Sequence, residues 1–119
     1  MEPSEKPIFA LEIGGFFQGR SKLSISESGN ALQGEIAPPW DRPARHFAVG
    51  EDDLLALRDC LARIGIGSWR EDYSDPSILD GTSWKLEYAG RAYSGQNAYP
   101  EGFRDLQAFL ADRFGFGSE

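Results

Sequence analysis

The single histidine, His46, and the single cysteine, Cys60, are the first pair to weigh for chemistry. A thiol becomes a nucleophile when a nearby base takes its proton. Cys60 falls three residues after Leu57 and four before Ile64, on the shoulder of an apolar stripe, so it is expected to be a small, inert core side chain. A zinc centre needs three or four Cys and His ligands, or two His and a carboxylate, and one of each is too few. Asp72, Asp75 and Asp80 gather in one segment, but Pro76 stands among them and the alternating ligand spacing of a calcium loop is missing. No carboxylate pair is set apart by its spacing, as a glycosidase or other acid–base site would require. Neither the Walker nor the dinucleotide glycine spacing occurs, and Gly65-Ile66-Gly67 follows a helical pattern where a phosphate cradle would follow a strand. No metal, no cofactor and no catalytic residue is expected.

Aromatic residues offer a different chemistry, since tryptophan and tyrosine bury large rings while keeping a polar handle for a partner. Trp84 and Tyr88 alternate with Lys85 and Glu87 and are expected to face the core. Trp40, in a proline-rich segment, and Trp69 and Tyr73, beside a run with four acids and no base over residues 71–80, lack such a structural role. With Glu71, Asp72 and Asp75 they form the candidate partner-binding set. Ser94, Asn97 and Tyr99 precede a helix and could hold an anion or small ligand at its N-terminus.

The elements that must position these groups follow from periodicity. Residues 8–13 alternate with Phe9, Leu11 and Ile13 on one side, and residues 22–26 place Leu23 and Ile25 likewise, which predicts an antiparallel hairpin. Gly29-Asn30 supplies a turn into a third strand carrying Leu32, Gly34 and Ile36. Residues 38–46, with three prolines, read as a surface loop. Leu54, Leu57, Leu61 and Ile64 form the apolar stripe of a helix that starts with Glu51, Asp52 and Asp53, ends with Arg63 and is stopped by Gly65. The acidic run after Trp69 reads as a long loop with room for a short strand at its opening, and a hairpin turning at Ala89-Gly90 follows it. A second helix is expected from Pro100, with Glu101 in its first turn and Phe103, Leu106, Leu110 and Phe114 as its stripe. The expected class is α+β, in the order β-β-β-α-β-β-α. Its mainly antiparallel sheet of five to six strands carries both helices on one face.

The segments Asp80-Gly81-x-x-Trp84-x-Leu86 and Gly95-x-Asn97-Ala98-Tyr99-Pro100-x-x-Phe103-x-x-Leu106 together resemble a pattern shared by small uncharacterised bacterial proteins. The resemblance implies a bacterial or phage context and no particular activity.

Composition bounds the rest. The chain has 119 residues, 40% of them apolar, with eight Phe, four Tyr and three Trp, enough for one packed domain. Residues 1–6 and 116–119 are expected to be flexible ends. No apolar run approaches the ~20 residues of a membrane span, the first residues lack a signal pattern, and a lone cysteine fits a reducing cytoplasm. The net charge of −7 opposes docking on nucleic acid or an anionic membrane. Residues 1–48 hold six acids and five bases, a net of −1, while residues 49–119 hold thirteen acids and seven bases, a net of −6. The expected function is a non-enzymatic acidic protein-binding module, an inhibitor or immunity-type protein that meets a basic partner. The alternatives are a small-molecule or peptide-binding domain with an aromatic pocket, and a small enzyme built from Asp, Tyr and Asn groups. Monomer and homodimer are equally compatible with the sequence.

Overall fold

The alternating apolar positions do set out strands, and their pairing makes one sheet. The computed structural model describes residues 8–15, 19–28, 31–37, 43–74, 82–96 and 98–116. Its strands are β1 (Phe9–Gly15), β2 (Gly19–Ser28), β3 (Ala31–Ala37), β4 (Arg45–Val49), β5 (Asp72–Ser74), β6 (Thr82–Tyr88) and β7 (Arg91–Gln96); its helices are α1 (Glu51–Arg63) and α2 (Phe103–Phe114). A short 3-10 turn at Ile66–Ser68 follows α1. The sheet order is β4-β3-β2-β1-β6-β7-β5, antiparallel throughout except for the parallel pair β5 and β7.

Register explains why one face is buried. Ile36, Leu23, Leu11, Leu86 and Tyr93 lie directly opposite one another across five strands, and Gly34, Ile25, Phe9 and Tyr88 form the next row. Because side chains alternate with period two, both rows face the same side. Leu57, Cys60 and Leu61 of α1 and Phe103, Leu106 and Leu110 of α2 bury against them in one core, so both helices cover this face, as the amphipathic stripes predict.

Among the described residues, the opposite face is mostly polar and neither helix covers it. Glu12 sits between Lys22 and Lys85 in register, and Arg20 bonds both Glu12, at 2.8 Å, and Ser83, at 2.8 Å. Among the described residues no helix is long and apolar enough to cross a membrane.

Three local expectations are corrected. Residues 45–49, part of which reads as loop, form β4, because Phe47 and Val49 alternate toward the core beside Gly34 and Leu32; the prolines upstream obscure that short period. α2 begins at Phe103, three residues after Pro100. Gly102 has φ 92, a left-handed conformation that helical backbone does not continue through, so Pro100 and Glu101 belong to the preceding turn. Phe116, expected in a flexible end, is only 5% exposed. Gly115 turns left-handed at φ 77 and folds Phe116 back, with its N–H donating to the Leu110 carbonyl at 3.2 Å.

The helices are tied by charge at one end. The Asp53 carboxylate accepts the Gly50 N–H at 3.0 Å and the Arg113 guanidinium N–H at 2.9 Å. The first contact is half of a capping box, and Gly50 has no side chain with which to return the other half. The Gly50 N–H first, and Arg113 second, hold the Asp53 pKa below the ordinary carboxylate value, against partial desolvation. A depressed folded-state pKa stabilises the fold above the unfolded pKa of about 4 and loses that contribution as pH falls through the folded value. Asp53→Asn is therefore expected to cost about 1 kcal/mol at neutral pH. In urea titrations at successively lower pH the gap from wild type should close below about pH 4. A gap of constant size would show that the charge is not the cause.

Candidate functional site

Trp69 leads the residues singled out for a partner, and it lies inside. The 3-10 turn after Gly65 reverses the chain, and the Trp69 N–H donates to Ile66 O at 3.1 Å. Its ring is 5% exposed and packs edge-on to Trp84, at 6.2 Å, and Tyr93, at 5.9 Å. The indole N–H finds no hydrogen-bond partner among the described residues; the two rings standing nearly perpendicular to it offer only weak π acceptors. Such a side chain belongs to the core and offers no contact surface.

Tyr73 is half-buried and also engaged in the fold. Its hydroxyl accepts the Arg70 backbone N–H at 2.8 Å, and the Arg70 guanidinium stands 4.7 Å from the ring centroid. Glu71 and Asp72 are exposed, at the β5 edge of the sheet. Trp40 and Asp75 lie outside the described residues. Of the expected acidic set, Glu71 and Asp72 are the members among the described residues, and Tyr73 turns its ring toward the core.

The second candidate set is divided by the sheet. Ser94 stands in register between Lys85 and Asp72 on the open face, whereas Tyr99 stacks on Trp84 on the helix side, at 6.4 Å and 19°. Period-two alternation sends Ser94 away from the core that its neighbours Tyr93 and Gly95 face. Asn97 lies outside the described residues. The same alternation separates His46, exposed on the open face and 3.6 Å from Glu35, from Cys60 in the core. Burial raises the Cys60 thiol pKa, and Asp105 and Asp59 add to the rise while Arg63 opposes it. A raised thiol without an adjacent imidazole is a poor nucleophile. Among the described residues no group of three or more His, Cys, Asp or Glu side chains is placed to hold a metal ion.

What the tertiary structure does assemble is a groove where the end of α1 meets α2. Gly102 approaches so closely that an added Cβ would lie 2.7 Å from Ile64 Cβ. The groove has a volume of about 890 Å³, with Arg63 and Ile64 on one wall and Glu101, Asp105, Phe109 and Asp112 on the other. Asp105, Phe109 and Asp112 recur at four and three residues along α2, hence on one face. Ile64 and Phe109 pack on the core and supply an apolar floor. Arg63 is engaged by Asp59 at 3.1 Å, while Glu101, Asp105 and Asp112 have no ion-pair or hydrogen-bond partner among the described residues. An open cleft rimmed by unneutralised carboxylates attracts cations and basic side chains.

Sequence reasoning did not single out Glu101, Asp105 or Asp112, which read as ordinary solvated helix positions. The signal was the seven-residue spacing of two acids around an apolar Phe109, meaningful only once Ile64 is known to lie opposite. Comparison of the chain with protein-family models, with curated proteins and with solved structures gives no match.

Proposed function

We propose that this chain is a non-enzymatic protein-binding module of inhibitor or immunity type, from a bacterial or phage conflict system, which binds a partner with a basic surface. The groove carries this reading: three unpaired carboxylates surround an apolar floor, the arrangement that suits a lysine or arginine whose stem needs burial and whose head needs charge. The bacterial context rests on the Asp80 to Leu106 pattern, and a reducing cytoplasmic location fits a lone cysteine sealed in the core. Separation of Cys60 from His46 by the sheet favours binding over nucleophilic catalysis.

A double charge reversal, Asp105→Lys with Asp112→Lys, tests the proposal. Both positions are exposed, so the fold should persist. Affinity capture from bacterial lysate at about 50 mM salt should retain a partner on the wild type, weaken about tenfold by about 300 mM, and fail with the double variant. Retention that ignores both salt and charge reversal would remove the groove from the interface.

A further inference from the structure

A second cleft, of about 670 Å³, lies on the neighbouring flank of α2, between its N-terminal turn and the adjacent ends of β1 and β2. That volume falls in the range of small-ligand sites, about 300–1,000 Å³. We infer that it binds a small planar aromatic anion of the aryl carboxylate class.

Three independent features converge there. Tyr99 and Leu55, at 43% and 60%, are the two large hydrophobic side chains exposed among the described residues, and Tyr99 lines the cleft. Its ring is braced from behind by Phe103, 4.9 Å away, and by Trp84. A ring already immobilised can stack on a planar ligand with little further loss of conformational freedom.

Among the described residues, Arg104 is the one charged side chain in the lining. Among the described arginines, Arg20, Arg63 and Arg113 pair with carboxylates, Arg45 bonds the Phe114 carbonyl, and Arg70 and Arg91 cover tyrosine rings. Only Arg104 and Arg58 are left without such a partner, and only Arg104 lines this cleft. Its planar guanidinium suits bidentate recognition of a carboxylate.

Polar complement and shape complete the site. Gln107 lies one turn beyond Arg104 on the same flank, and Ser21 faces them from β2. No side chain caps the first turn of α2, where Asp105 already answers the helix dipole, so the anion is left to Arg104. The floor is Ile13 and Phe103, where an apolar ring would shed water. Aromatic wall, apolar floor and one free guanidinium at the rim together call for a ring at one end of the ligand and a carboxylate at the other.

Benzoate is the probe, with benzamide supplying the ring without charge and acetate the charge without a ring. In titrations of the full chain followed by amide NMR, benzoate is expected to give saturable shifts centred on Arg104 and Gln107. Acetate and benzamide should each bind at least about tenfold more weakly. Arg104→Gln should weaken benzoate about tenfold and leave benzamide unchanged; Tyr99→Ala, or Tyr99→Leu should the first variant lose signal dispersion, should weaken both ring-bearing probes. Unmoved cleft amides at about 20 mM benzoate, acetate equal to benzoate, or undiminished binding by Arg104→Gln would each overturn the inference. Among the described residues the site shares only Gly102 with the acidic groove: the Asp105→Lys, Asp112→Lys variant should still bind benzoate, so either idea can fail alone.

Discussion

Trp84→Ala is expected to remove about 3–5 kcal/mol of stability, much of the ~5–15 kcal/mol that holds a domain of this size together. Trp84 is 1% exposed. Its ring meets Trp69, Tyr73, Tyr99 and Phe103, with the closest centroid, that of Phe103, at 4.8 Å. Those neighbours come from two separate stretches of chain, residues 69–73 and 99–103, so the cavity cannot close by moving one element. The indole N–H also donates to the Ala98 carbonyl at 3.0 Å, which fastens the segment leading into α2. Urea unfolding should show a midpoint lowered by about 2 M. Trp84→Phe keeps much of the ring but strands that carbonyl, and about 1–3 kcal/mol should be lost. A loss below about 1 kcal/mol for the alanine variant would mean that the aromatic cluster is not the keystone of the core.

Gly95→Ala should do comparable harm by the opposite route, adding one methyl where none fits. A Cβ at this position would come within 3 Å of Trp84 Nε1, the Tyr73 carbonyl oxygen and the Ala98 carbonyl oxygen. Two of the three obstacles are backbone, one on β5 and one on the segment before α2, and neither can rotate away as a side chain could. The expected loss is about 3 kcal/mol, the upper part of the overpacking range. Hydrogen exchange should locate it, since the Ser94 N–H bond to Glu71 O, 3.0 Å long, joins the two strands there. Combining the change with Trp84→Phe should not restore stability, because the two carbonyls remain. Gly67→Ala, whose Cβ would meet nothing within 4 Å, is the control and should be near neutral.

Both predictions concern a place that the sequence indicates only in part. Trp84, Leu86 and the stripe of α2 are legible as core from their spacing, and the register confirms them. Gly95 stands in the resemblance pattern with no physical reason attached; its necessity follows from β5 pairing alongside β7, which three residues, Asp72–Ser74, do not announce. Trp69 is misleading in isolation, because the arginine and acids that follow it make it look like surface. Only the left-handed Gly65, with φ 76, and the turn after it direct the ring inward.

The apolar alternation of β1, β2 and β6, the stripes of α1 and α2, the helix stops at Gly65 and Gly115, and the burden of negative charge in the second half were all determined by the sequence itself. Each is a short-range property, set by the steric preferences and hydration of residues within one or two turns or a single strand. The partnership of β1 with β6, the division of Ser94 from Tyr99, the acidic groove and the Tyr99–Arg104 cleft were decided by tertiary structure alone. They depend on which distant segments share a face, and that choice is made when the whole apolar surface is buried at once, a condition no local window contains.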